Sequence, residues 1–144
     1  MRHYADSSFL VSCYVLDANT PHAKEYLART GAPLAFTTLH NLEVRNAFKL
    51  GVFRGLLTAA EAGRSWTNLE KDLRTGRLVR TTVTWPSVFR LAARLSEQHS
   101  GTIGTRSIDI LHVAAAKAMR GGEFISFDVR QRTLASAVGL KVVL

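Results

Sequence analysis

Short runs with strand composition alternate along this chain with runs of helical periodicity, and that alternation limits the fold more than any other feature. HYAD (3–6), LAFT (34–37), RLVRTTV (77–83), EFISF (123–127) and the closing LKVVL read as strands. A brief helical run carries Phe9, Leu10, Val11, Cys13 and Tyr14. Thr20 before Pro21 then starts a helix that Gly31 stops, because proline does no harm in a first turn. A long helix from about Leu39 to Phe53 follows. Thr58-Ala-Ala-Glu61 has the form of a capping box, and Ala62, Trp66, Leu69 and Leu73 recur at helical spacing until Gly76. Pro86 opens a helix with Val88, Leu91, Ala92 and Leu95 on one face, GTIGT (101–105) reads as a loop, and RSIDILHVAAAKAMRG (106–121) reads as the next helix. The last helix carries Leu134, Ala135 and Val138 to Gly139. Strands joined through helices cannot be hairpins, so they pair in parallel. The expected fold is α/β, a three-layer α/β/α sandwich with a central, mostly parallel sheet, whose ligands gather outside the carboxyl ends of the strands.

With 144 residues, no repeat and no low-complexity run, the chain is expected to form a single domain over residues 1–144. Cys13 is the only cysteine, which excludes an internal disulfide framework and cysteine-cluster zinc and suits a reducing compartment. The apolar N-terminal patch is interrupted at Asp6 and Asp17, is too short for a membrane span and lacks a small-residue cleavage site, so the chain is expected in the cytoplasm, away from membranes. Nineteen Lys and Arg against eleven Asp and Glu leave a formal charge of +8, with a pI near 10.4. Such a field attracts polyanions, nucleic acid above all.

Four carboxylates stand where burial is expected. Asp6 follows the first strand and Asp128 follows FISF, so both emerge at the carboxyl edge of the sheet. Each also suits a helix N-cap, and Gln131 completes that pattern for Asp128. On a helical wheel Glu43 falls between Leu39, Leu50 and Asn46, beside Leu42, on the face expected to meet the core. Asp109 interrupts an apolar run. Ser107 can cap that helix, which puts Asp109 in the first turn, where the dipole favours it by roughly 0.3–1 kcal/mol, less than the cost of desolvating a carboxylate. Four such charges at one sheet edge would repel unless a divalent cation neutralises them. An all-oxygen donor set suits Mg²⁺ or Mn²⁺. No histidine pair has zinc-ligand spacing, and GTIGT fits neither a phosphate-binding P-loop nor a dinucleotide fingerprint, so no other cofactor is expected. An acidic, metal-filled pocket in a basic surface is the charge arrangement of a phosphodiesterase acting on a polyanion. Arg45, Lys49 and Arg106 are the candidate phosphate contacts, with Arg54 beyond them. His112 reads as a core histidine, and Trp66 and Trp85 as core or interface residues.

YADSSFLV around Asp6, TTLHNLEVRNAF around Glu43, SIDILHVAAA around Asp109 and FISFDVRQRTLASAVGLKV around Asp128, in this order and spacing, carry a resemblance to PIN-domain nucleases of the VapC toxin type over essentially the whole chain. The resemblance implies a Mg²⁺- or Mn²⁺-dependent endoribonuclease in which Asp6, Glu43, Asp109 and Asp128 are the catalytic, metal-binding acids. Ser7, Ser8 and Ser126 are then placed to hydrogen-bond those carboxylates or bound waters. It further implies a toxin that forms a homodimer and is neutralised by an antitoxin protein. Phe127 stands where many relatives carry a smaller polar residue, which leaves the orientation of Asp128 as the weakest element of the match.

Two alternatives stand beside this expectation: a non-catalytic PIN-like module that binds RNA or protein, and a housekeeping RNA-processing nuclease. A phosphohydrolase with an aspartyl nucleophile requires two Asp two residues apart after the first strand, whereas Asp6 is followed by Ser7 and Ser8.

Overall fold

The computed structural model describes all residues from Met1 to Leu144. In chain order the elements are β1 (Tyr4–Ala5), α1 (Ser7–Tyr14), α2 (Thr20–Thr30), β2 (Leu34–Phe36), α3 (Thr38–Phe53), α4 (Ala59–Thr75) and β3 (Leu78–Arg80). There follow α5 (Trp85–Leu95), a π-type turn (Ser96–Ser100), α6 (Gly101–Ile103), α7 (Ser107–Met119), β4 (Glu123–Ile125), α8 (Val129–Ala137) and β5 (Lys141–Val143). All strand pairs are parallel, as the alternation requires. The strands are divided between two sheets, ordered β1-β4-β5 and β2-β3. The chain forms two compact units, one of Met1–Asp6 with Thr82–Leu144 and one of Ser7–Thr81.

In the unit of residues 7–81, α1 packs on α2 and α3, and α3 packs on α4. Phe9, Leu10, Tyr26, Phe36, Val44, Phe48 and Leu69 form its core. Each such side chain contributes about 1.5–3 kcal/mol on full burial. The helix ends follow the sequence signals. Thr58 and Glu61 exchange hydrogen bonds in a capping box, and Gly31 and Gly76 close α2 and α4 with left-handed backbones, φ +61° and +82°. A second box opens α3: Thr37 Oγ1 accepts from the His40 amide and His40 Nδ1 accepts from the Thr37 amide at 3.0 Å. The wheel position given to Glu43 is corrected here. The inward residues of α3 are His40, Val44 and Phe48, while Leu42 and Leu50 lie outward at 66% and 36% exposure and Glu43 is half-buried at the boundary. The apolar content of α3 is spread round its circumference, so leucine positions alone misplace the core face.

In the other unit, α5 lies along α7, and α8 packs on β4, β5 and α7. Seven consecutive residues of α7, Ile110–Ala116, are buried, which explains why this helix is apolar nearly all round. Tyr4 stacks on Phe124 and meets the His112 ring edge-on, and its hydroxyl is hydrogen-bonded to His112 Nδ1 at 2.7 Å. His112 is thus a core histidine with a buried polar partner. Gly122, φ +81°, lies so close to the Arg2 carbonyl that a Cβ would collide with it, and the next amide, Glu123 N, donates to His3 Nδ1. This approach starts the β1–β4 register, Tyr4 opposite Phe124 and Ala5 opposite Ile125.

Two local expectations fail. Residues 101–105 are not simply a loop: α5 runs on through the π-type turn and α6 until Gly104 stops it at φ +75°. Gly101 keeps a helical φ of −64°, and nothing from Ser96 to Ser100 interrupts the backbone bonding. Nor does Ser107 cap α7. It is already helical, and the cap position belongs to Arg106, which offers no side-chain cap. No helix is long and apolar enough to cross a membrane.

Candidate active site

Parallel pairing of β1 with β4 sends both chains out at the same sheet edge. Asp6 N donates to Ile125 O at 3.0 Å, which sets Asp6 beside Ser126. Asp6 is 4% exposed and Ser126 is fully buried. Ser126 Oγ donates to Asp6 Oδ2 at 2.8 Å and accepts from the Asp128 amide at 3.0 Å. Asp128 caps α8, its Oδ1 accepting from the Gln131 amide at 2.8 Å. Gln131, also fully buried, turns its side chain to the third acid, Nε2 donating to Asp109 Oδ1 at 3.0 Å. The other oxygen of Asp109 is held by Arg106 Nε at 3.1 Å.

A continuous polar path therefore links Asp6, Ser126, Asp128, Gln131 and Asp109. The three acids are spaced by donors, not pressed together, and no group of three or more His, Cys, Asp or Glu side chains is gathered round one ion position as they stand. Like charges avoid direct contact and take hydrogen-bond donors in its place. Asp109 and Asp128 line a common cleft of about 390 Å³ with Gly104, Arg106, Val129 and Arg130.

Glu43 belongs to the unit of residues 7–81. Its Oε1 accepts from the hydroxyl of Ser7, the residue that directly follows Asp6, at 2.8 Å. Of the serines expected to support the acids, Ser7 and Ser126 thus make such bonds, and Ser8 is exposed. Arg45 is exposed on α3, its guanidinium 3.9 Å over the Trp66 ring, and Lys49 is exposed one turn further on.

The donor set fits a hydrated Mg²⁺ or Mn²⁺, which needs only one or two carboxylates with waters completing the shell. Gln131 Oε1 is buried without a hydrogen-bond partner, in a side chain whose amide nitrogen bonds Asp109, and is an acceptor that a water carried by such an ion would satisfy. Sequence reasoning placed Gln131 only in the cap of α8. Its signal was present: it lies one turn before Leu134 and Ala135 on the buried face, where a polar side chain needs a partner. Arg130, exposed in the first turn of α8, gave no such signal.

No family model and no curated sequence matches the chain. Its architecture is a PIN-like α/β fold, similar to two solved structures. PAE2754 from Pyrobaculum aerophilum aligns with a TM-score of 0.63 at 18% identity, over 99% of this chain and 83% of that one. FitAcB from Neisseria gonorrhoeae aligns with a TM-score of 0.62 at 16% identity, over 98% and 96%. At such identities the likeness shows the fold alone.

Proposed function

We propose that this chain is a metal-dependent endoribonuclease, one PIN domain over residues 1–144, that hydrolyses RNA phosphodiester bonds. Asp6, Glu43, Asp109 and Asp128 are its catalytic acids and would hold Mg²⁺ or Mn²⁺. When bound, the ion supplies an activated water and charge stabilisation for the attacking and leaving oxygens. The chain's own residues set up that chemistry. Ser126 and Gln131 fix the rotamers of Asp6 and Asp109, Ser7 fixes Glu43, and the basic surface, including Arg45, Lys49 and Arg106, draws in and holds the RNA backbone.

The observation that carries this reading is the hydrogen-bonded path from Asp6 to Asp109, because a fold has little use for fully buried Ser126 and Gln131 between acids unless those acids must be aimed. The resemblance in sequence extends the proposal to the toxin of a VapC-type pair, a cytoplasmic homodimer restrained by an antitoxin protein. One observation favours the non-catalytic alternative: Arg106 already neutralises Asp109. Incubation of wild type and Asp6→Asn with single-stranded RNA, in Mg²⁺ and in EDTA, separates the two. Cutting by wild type that is lost in the variant and in EDTA supports the nuclease; cutting that survives either, or none by wild type, contradicts it.

A further inference from the structure

Arg132 is half-buried on α8, and its Nε is buried without a hydrogen-bond partner. No carboxylate is paired with it. A guanidinium held partly out of water without a counter-charge is costly, so the position calls for an anion from outside the chain. Arg132 lines a cleft of about 630 Å³ with Val129, Thr133, Ser136 and Ala137 of α8 and Val142 of β5. Val129 is 71% exposed there. β5 is an edge strand, since the order β1-β4-β5 gives it a neighbour on one side only. The other side of such a strand presents backbone groups that can receive a further strand. Lysine often guards an edge of this kind, but Lys141 is drawn to Glu123 of β4 at 2.9 Å, and β5 contains no proline.

We propose that the cleft between α8 and β5 is a docking site for an extended segment of a partner protein, which adds to the free edge of β5 and sets one carboxylate on Arg132. β5 is only three residues long, so backbone pairing alone holds a partner weakly and the arginine supplies the selectivity. Arg132 is the single charged residue lining the cleft, beside valines, an alanine and two hydroxyls. A nucleic-acid strand brings a charge with every nucleotide and needs several cations along its path. One guanidinium above an apolar floor fits one carboxylate on an otherwise uncharged segment, held by charge-assisted hydrogen bonds. The site uses none of the four acids and is independent of the nuclease reading.

The test follows the anisotropy of a fluorescein-labelled heptapeptide of valine and threonine with one central glutamate, added to wild type and to Arg132→Gln. Comparison peptides carry glutamine at the centre, or the glutamate with every second backbone amide methylated, in either register. The glutamate peptide is expected to bind wild type about tenfold more tightly than the glutamine peptide, the worth of a charge-assisted hydrogen bond. In Arg132→Gln that advantage is expected to vanish while the glutamine peptide binds as before, which also shows that α8 and β5 remain folded. Methylation is expected to abolish binding in one register and to spare it in the other, because alternate amides of an added strand face β5. Equal binding of the glutamate and glutamine peptides to wild type, methylation without effect in both registers, or no peptide binding overturns the proposal. Oligouridylate binding that is lost in Arg132→Gln, with the peptides unbound, assigns the arginine to RNA and overturns it. Self-association of wild type in sedimentation that is lost in Arg132→Gln assigns the cleft to a second copy and overturns it as well.

Discussion

Gln131 donates a 3.0 Å hydrogen bond from its buried side-chain amide to Asp109, across 22 positions of sequence, and the same residue's backbone amide caps through Asp128. The carbonyl half of that side chain is left without a partner. Two acids of the candidate site are thus tied to one residue whose place in the core is fixed by its neighbours Leu134 and Ala135.

Gln131→Met keeps the volume and removes the amide. It also removes the unpartnered acceptor, so the change in stability is expected to stay within about 1 kcal/mol, because water replaces the donor at half-buried Asp109. Mn²⁺ affinity is expected to fall by about 10–100-fold as Asp109 loses its orientation. Urea unfolding alongside Mn²⁺ titration checks both, and a large loss of stability with unaltered metal binding would assign Gln131 to the core alone.

Ser126→Ala takes a donor from buried Asp6 and an acceptor from the Asp128 amide at once. A cost of about 1–3 kcal/mol in unfolding free energy is expected, the penalty for buried groups left unpaired. Ser126→Thr keeps the hydroxyl, and recovery of metal affinity in that variant distinguishes aiming from mere packing.

Asp128→Asn separates two roles of one side chain. Asn caps helices about as well as Asp, so thermal stability is expected to hold within about 0.5 kcal/mol. Metal affinity falls if the charge is used, and Mn²⁺ binding equal to wild type would reduce Asp128 to a helix cap.

Cys13 is an inert thiol. Burial, then the carboxylates of Asp72 and Asp17, push it up from 9.0 to about 12, and its Sγ donates to Phe9 O. The folded state keeps its proton where the unfolded chain has lost it, so folding stability falls as pH rises from 9.0 towards 12. Cys13→Ala is expected to show a shallower decline over that window in urea unfolding. Identical pH profiles for the two proteins would show that the thiol is not desolvated.

The fold was largely legible because its punctuation is local. Thr58 with Glu61, Pro21, Gly31 and Gly76 act within a turn or two of themselves, and the structure uses each as the sequence suggests. The failures share one cause. Which way α3 faces, and whether Gly101 interrupts a helix, depend on partners distant in sequence, which local pattern does not encode. The site divides similarly. Asp6 and Asp128 are readable as acids after strands, and Asp109 as an acid in an apolar helix. The bridge through Gln131 depends on α8 packing against α7, which no spacing reveals.

The central claim is that the acids linked through Ser126 and Gln131 are aimed at a divalent cation. Anomalous diffraction from crystals grown with Mn²⁺ tests it most directly. The expected result is a Mn²⁺ peak within coordination distance, about 2.0–2.2 Å, of carboxylate oxygens of Asp6 and Asp109. A crystal saturated with Mn²⁺ that shows no peak at these carboxylates would contradict the account.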